Sequence, residues 1–153
     1  MIVIKPHHFI DIVKLYGSGI ENFVPDEEHQ HDFYKVANEI TRNLNTELKF
    51  TVHGDDICKP CNRFNGASCT DPLEKIAGYQ EKEVYNRTLD QRIADLLGMN
   101  LEEGCTAGQF LEELSRHPKL IVQVWTEEDD AVTTRRNELF WVGCKKLLDK
   151  QEH

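Results

Sequence analysis

The residues with the clearest chemical potential are three cysteines that fall close together in the chain, Cys58, Cys61 and Cys69. Cys58 and Cys61 form a C-x-x-C pair, in which a turn can direct both sulfurs at one centre, and an Asn-Gly turn at 65–66 lets Cys69 return to them. Zinc and iron both accept tetrahedral thiolate coordination, so ligand type alone does not separate a zinc ion from an iron–sulfur cluster. The spacing therefore predicts a cysteine-ligated metal centre with either cofactor.

A fourth ligand has to come from elsewhere in the chain. Cys105 directly precedes a predicted helix, where a loop can present a side chain freely and the helix dipole lowers the pKa of a thiol. Cys144 lies inside a predicted amphipathic helix, where a cysteine more often acts as a small buried apolar side chain. We therefore predict Cys58, Cys61, Cys69 and Cys105 as the metal ligands, with Cys144 or a histidine as the alternatives to Cys105.

Two adjacent histidines, His7 and His8, stand at the start of the first predicted helix. Successive helical positions diverge by about 100°, so the two imidazoles cannot both face the core. One of them should point toward a cleft, which we expect to share with the cysteine loop. His7 and His8 are therefore candidate catalytic residues for proton transfer, or candidate ligands, and the alternative is a helix-start histidine bonded only to backbone.

Other titratable residues flank these two groups. Asp55 and Asp56 directly precede the cysteine pair and can hold an imidazole in one tautomer, although an Asp-Asp pair in a loop often serves as a turn or cap. His29 and His31 lie among acidic residues, so we predict that they are solvated surface side chains.

The elements that must position these residues begin with a short strand, MIVI, and a helix that starts at Pro6 and ends at Gly17. A second helix is predicted over 28–44, followed by a strand over 48–52 with alternating apolar residues. If this strand pairs beside MIVI, it carries residues 53–56 to the end of the sheet where the first helix starts. The histidine pair and the cysteine loop would then meet.

The second half of the chain is predicted to be mainly helical. A short helix is expected over 72–79, a longer one over 83–97 that Gly98 stops, and another that starts at a Thr106–Gln109 capping box. LIVQVW at 120–125 favours a buried strand, with a helix as the alternative, and a final helix should run to about Lys150. The fold class is therefore α+β, a mostly helical single domain over 1–153 with a small sheet and a cysteine-rich metal-binding loop.

Charge and composition limit the partners. The formal net charge is -9 and the pI is near 5.2, so the chain would repel a phosphate backbone or an anionic membrane surface. A small molecule or a redox protein is the expected partner. No segment has the length and apolarity of a membrane span or a secretion signal, so we expect a cytoplasmic protein, in which five cysteines would not form structural disulfides.

Three segments, PHHFIDIVKLYG, GDDICKPCNRFNGASC and VYNRTLDQRIADLLGM, together resemble a family of small bacterial and archaeal proteins of unknown function that are described as iron–sulfur-binding. In that family two histidines follow a proline, an Asp-Asp-x-Cys segment opens the cysteine loop, and a helix ending in Leu-Leu-Gly follows. The resemblance covers about two-thirds of the chain and favours an iron–sulfur cluster over zinc.

Three functions are consistent with these patterns. The first is an iron–sulfur protein. A cluster with four protein ligands would suit electron transfer, whereas one with three would leave an iron that could act as a Lewis acid on a substrate. The sequence therefore does not decide whether the protein is an enzyme. The second is a structural zinc site without catalysis. The third, a thiol–disulfide protein using the C-x-x-C pair, ranks last because no thioredoxin-like β-α-β pattern surrounds it.

Overall fold

The computed structural model describes residues 1–151, and its centre is a three-stranded sheet. Strands β1 (Ile2–Ile4) and β2 (Glu47–Phe50) pair in parallel, and β3 (Cys105–Thr106) pairs with β2 in the antiparallel direction. Because Ile4 lies opposite Phe50, the carboxyl ends of β1 and β2 reach the same edge of the sheet. The predicted pairing is confirmed, and it brings the start of the first helix beside the loop that contains the cysteines.

Six helices surround the sheet within residues 1–151, so the α+β class is confirmed. They are α1 (Pro6–Gly17), α2 (Phe33–Arg42), α3 (Lys82–Leu97), α4 (Ala107–Ser115), α5 (Leu120–Val124) and α6 (Asp130–Gln151). None of them combines the length and the apolarity that a membrane crossing requires.

Local signals in the sequence set several helix ends. Pro6 begins α1, where its missing N–H has no intrahelical partner to lose. Gly98 ends α3 with a φ of 62°, a left-handed conformation that glycine adopts without a steric cost. The predicted capping box is present at α4, where the Gln109 N–H donates to Thr106 Oγ1 at 3.1 Å and the Thr106 N–H donates to Gln109 Oε1 at 2.9 Å.

The core lies between the sheet and the helices, and α1 and α6 approach each other closely within it. A Cβ atom added to Gly143 would lie 2.0 Å from the Val13 carbonyl oxygen, and one added to Gly17 would lie 1.9 Å from the Leu139 carbonyl oxygen. Only a residue without a side chain fits at these two positions. The contact fixes α1, and thereby the histidine pair at its start, against the longest helix.

One secondary-structure prediction was wrong, and for another segment the structure selects the alternative. Residues 120–124 form α5, the helix that was the alternative to the favoured strand, and it buries Leu120, Ile121 and Val124 as a helical face. No helix forms over 72–79, since Pro72 and Glu81 form an isolated antiparallel bridge that draws this segment into an extended loop.

One helix boundary also needs correction, because the second helix starts at Phe33, not at 28, and residues 26–29 form a turn. In α3 two large apolar side chains, Val84 and Leu96, are 44% and 43% exposed. The inner face of α3 instead carries buried polar residues, namely Glu83, Asn86 and Asp90.

Candidate metal centre

A cavity of about 280 Å³ lies at the sheet edge where β1 and β2 end. Cys58, Cys61 and Cys69 all line it, and His8 from the first turn of α1 lines it with them. Lys5, which joins β1 to α1, contributes a further part of the wall. The structure therefore brings the three predicted cysteines and one of the two predicted histidines to a single cavity.

The cysteine loop is folded by its own backbone. The Cys61 N–H donates to the Cys58 carbonyl at 2.9 Å, which forms the turn of the C-x-x-C pair, and Cys69 forms an isolated bridge with Phe64. All five cysteines of the chain are free thiols. The sulfurs of Cys58, Cys61 and Cys69 are not all within 4.8 Å of one another, so they surround the cavity but do not meet at one point.

Asp55 organises the junction between this loop and α1. Its carboxylate is fully buried and accepts four hydrogen bonds: Oδ2 from the Lys5 N–H at 2.8 Å and from His8 Nδ1 at 2.7 Å, and Oδ1 from the N–H groups of Ile57 and Cys58 at 3.1 Å each. Burial alone would raise the pKa of this carboxyl, but the His8 ring and the backbone donors hold it well below its usual range. Asp55 is therefore an ionised acceptor.

This contact determines the tautomer of His8. An ionised carboxylate only accepts hydrogen bonds, so the proton between Asp55 and His8 resides on Nδ1. In the neutral imidazole Nε2 then carries a free lone pair, and the ring lines the cavity. A carboxylate that orients a histidine in this way is the usual companion of a metal-binding imidazole. Both roles that the sequence left open are found in Asp55, which contacts the His8 ring and also caps the turn at Ile57 and Cys58.

The thiol of Cys58 is unsuited to redox exchange by itself. Burial, together with the negative charge of Asp55, raises its pKa to about 12. Reactive cysteines of C-x-x-C redox proteins have lowered pKa values instead, because the thiolate is the nucleophile. The environment of Cys58 thus favours a neutral thiol unless a cation binds there.

Comparisons with protein-family models, with curated proteins and with solved structures gave no match for this chain.

His7 does not line this cavity, although its ring centroid lies 4.3 Å from that of His8. It is 5% exposed, and both its backbone N–H and its ring Nδ1 contact Asp90 Oδ1 at 2.8 Å. Burial disfavours the charged ring, but the Asp90 carboxylate raises the pKa of His7 overall. The ring does not line the cavity, so of the two predicted catalytic candidates only His8 is positioned to reach a bound group.

Lys5 and Glu83 place a buried ion pair beside the cysteines. Lys5 is 1% exposed, and its Nζ lies 3.9 Å from Glu83 Oε2, which also accepts the Cys69 N–H at 2.9 Å. Burial opposes the charge on Lys5, but the Cys58 sulfur when it is ionised, and the nearby carboxylates of Glu83 and Asp55, raise its pKa. The ammonium therefore stays charged next to the cysteine loop, where it can offset the negative charge of thiolate ligands.

The structure does not bring Cys105 or Cys144 to this cavity. Cys105 lies in β3 opposite Leu48 and lines a different pocket that includes Met1, at the opposite end of the sheet from the cysteine loop. Burial raises the pKa of Cys105, contrary to the lowering expected from the helix that follows. Cys144 is 1% exposed inside α6, in agreement with the role of a small buried side chain. Neither is placed as a fourth ligand.

The sequence prediction was wrong about His29 and His31, which are half-buried and line the cavity. The loop that carries them is tied to the cysteine loop by Asn62, whose backbone N–H donates to the His29 carbonyl at 2.8 Å and whose side-chain amide donates to the Glu28 carbonyl at 2.6 Å. The Asp32 N–H also donates to the Ile57 carbonyl at 3.1 Å, and these long-range hydrogen bonds hold the histidine loop against the cysteine loop. The H-x-H spacing was the one signal in the sequence that could have indicated a shared role.

Proposed function

We propose that this chain holds an iron–sulfur cluster through the thiolates of Cys58, Cys61 and Cys69, with His8 Nε2 as the fourth protein ligand. The observation that carries the proposal is the common cavity: three cysteines and a carboxylate-oriented histidine line one space of about 280 Å³. Sulfur and imidazole donors are known ligands of such clusters. His8 takes the place that the sequence had assigned to Cys105.

The spread of the sulfurs supports a cluster over a single ion. Around one zinc ion with Zn–S bonds of about 2.3 Å, tetrahedral geometry places the sulfurs roughly 3.8 Å apart. The three sulfurs here are not all within 4.8 Å of one another. A cluster presents a separate iron atom to each ligand, so its thiolates stand farther apart than those of one ion. The free volume between the cysteines is consistent with this larger group.

A cluster with four protein ligands supplies one-electron redox chemistry, so we propose electron transfer as the role of the protein. The residues of the chain tune this role: Asp55 holds His8 in the ligating tautomer, and the Lys5 ammonium offsets thiolate charge. A redox protein or a small molecule is the proposed partner, and a reducing cytoplasm is the proposed location, because all five cysteines are free.

Anaerobic purification followed by iron and acid-labile sulfide analysis tests the proposal. We expect iron and sulfide in the wild-type protein and a sharp loss of both in Cys58→Ser, Cys61→Ser and Cys69→Ser. Cys105→Ser and Cys144→Ser are the matched controls and should retain the wild-type content. Full iron and sulfide in all three loop variants would refute a shared site.

A structural zinc site is the second candidate, because one ligand atom from each of His8, Asp55 and Cys58 lies within 4.8 Å of the others. This set ranks lower, since both oxygens of Asp55 already accept two hydrogen bonds each and an ion would have to displace donors. Stoichiometric zinc without sulfide in the anaerobic protein would favour this candidate over the cluster.

A further inference from the structure

A second group of metal-binding side chains lies in the wall of the same cavity. Asp26, His29 and His31 belong to the loop before α2, and one ligand atom from each lies within 4.8 Å of the other two. Asp26 Oδ2 is shared: it is 3.2 Å from His29 Nδ1 and 3.3 Å from His31 Nε2. None of the three residues belongs to the set assigned to the cluster.

These separations match the ligand edges of a coordination shell. Zinc binds imidazole nitrogen and carboxylate oxygen at about 2.0–2.2 Å, so tetrahedral geometry separates adjacent ligand atoms by roughly 3.4 Å. The two measured edges of 3.2 and 3.3 Å are close to that value. An ion bound by the three residues would therefore replace these hydrogen bonds with ligand edges of nearly the same length.

The backbone holds the three side chains together. Asp26 Oδ1 accepts the N–H groups of Glu28 and His29 at 2.9 and 3.1 Å, which leaves Oδ2 for the two rings. Between the histidines Gln30 adopts a φ of 61°, which is uncommon for a residue with a side chain and brings the two rings into a stacked arrangement with centroids 5.9 Å apart. The cluster is therefore built by the loop fold.

The surroundings also fit a cation. Asp71 Oδ2 lies 3.9 Å from His29 Nε2, so its negative charge stands beside that ring at a distance longer than a hydrogen bond. The Phe33 N–H donates to His31 Nδ1 at 3.4 Å, the long limit of a hydrogen bond, so this contact can be lost at little cost when His31 binds an ion. Arg63 and Lys82 approach Asp71, at 3.4 and 3.8 Å, so their charge is directed at that carboxylate.

We propose that Asp26, His29 and His31 bind one divalent transition-metal ion of the zinc class, separately from the cysteine site. Two imidazoles and one carboxylate select such an ion over magnesium or calcium, which prefer oxygen ligands. Three protein ligands leave one tetrahedral position for water or a small ligand, as in sites that are not purely structural. Because the three residues line the cavity, this position is within reach of whatever enters it.

Zinc titration of the untagged protein under anaerobic conditions tests the proposal, with a chromophoric chelator as competitor. The wild type should bind one zinc equivalent more than the His29→Ala/His31→Ala variant. Asp26→Asn keeps an oxygen for the backbone N–H donors of the turn but removes the charge, so it should weaken zinc binding at least tenfold while the fold is retained. Circular dichroism of each variant checks the fold.

Two controls separate this site from its alternatives. His117→Ala removes a histidine that pairs with Glu113 away from the cavity and should leave zinc uptake unchanged. Cys58→Ser should retain the additional zinc equivalent even if it loses iron and sulfide. Equal zinc uptake by wild type and the double histidine variant would overturn the proposal, as would loss of the equivalent in Cys58→Ser. Because iron and sulfide are measured separately, a failure of the cluster assignment would be recognised as such.

Discussion

Replacement of Asp55 by asparagine is the sharpest perturbation of the candidate site. The amide oxygen of the new side chain can still accept the N–H groups of Ile57 and Cys58, but these bonds lose their charge assistance, at about 1 kcal/mol each. The side-chain NH2 group takes the place of Oδ2, the oxygen that accepts the Lys5 N–H. The Lys5 N–H is then a buried donor without an acceptor, which costs about 1–3 kcal/mol. We expect Asp55→Asn to lower the free energy of unfolding by about 3–5 kcal/mol.

Chemical denaturation of the metal-free protein, followed by the fluorescence of Trp125 and Trp141, measures this loss. For a chain of this size about 3–5 kcal/mol corresponds to a fall in Tm of roughly 6–20 °C. Asp56→Asn is the matched control, because the Asp56 carboxylate is partly exposed and accepts one backbone hydrogen bond, from the Val3 N–H. This substitution should lower the free energy of unfolding by about 1 kcal/mol.

The same variant also tests the role of His8. An asparagine NH2 group donates to Nδ1 of His8, so the ring proton moves to Nε2 and that nitrogen no longer has a lone pair for a metal. Iron content of Asp55→Asn should therefore fall even where the protein is folded. If Asp55→Asn were no more destabilising than Asp56→Asn and kept full iron, the organising role assigned to this carboxylate would be refuted.

Three further predictions concern the scaffold. Gly143→Ala should lower the free energy of unfolding by about 2–3 kcal/mol, because its Cβ would meet the Val13 carbonyl oxygen at 2.0 Å. Val142→Ala, at an exposed position, should change the free energy little. A denaturation midpoint of Gly143→Ala equal to that of the wild type would contradict the close contact. Lys5→Met should lower the free energy of unfolding by about 3 kcal/mol, because it leaves Glu83 without its buried partner. The double variant Lys5→Met/Glu83→Gln should recover part of this loss, and no recovery would argue against the ion pair. Hydrogen bonds from Arg92 lower the pKa of Glu127 to about 2. This carboxylate therefore stabilises the fold above its ordinary pKa near 4.5 and loses that effect as the pH falls toward 2. Glu127→Gln should remove about 1 kcal/mol of this acid sensitivity, and identical pH–stability curves of variant and wild type would exclude the effect.

The parts of the site that sequence reasoning could predict are those set by local patterns. The C-x-x-C turn, the proline start of α1 and the alternation in β2 are local, and they were enough to predict that His7 or His8 shares a cleft with the cysteine loop. Cys105 could not be assigned in this way, because its distance from the cysteine loop depends on the register of β3 against β2.

Burial of polar residues was the other point at which local patterns failed. His29 and His31 lie in an acidic segment whose composition is typical of surface, and long-range hydrogen bonds, including two from Asn62, dock that segment against the cysteine loop. Likewise Glu83 and Asp90 occupy inward positions of α3 that an apolar periodicity would assign to Val84 and Leu96. Side chains that bind partners inside a protein do not follow the apolar pattern from which burial is predicted.

The parallel pairing of β1 with β2 also determines when the cavity can exist during synthesis. Its walls come from the first 86 residues, but α1 packs extensively on α6, which ends at Gln151. At about 5–20 residues per second, the 82 positions from Cys69 to Gln151 take roughly 4–16 s to synthesise. During that interval the cysteines have been synthesised, while α1, which carries His8, still lacks its packing partner. Cofactor insertion is therefore expected to follow the synthesis of α6.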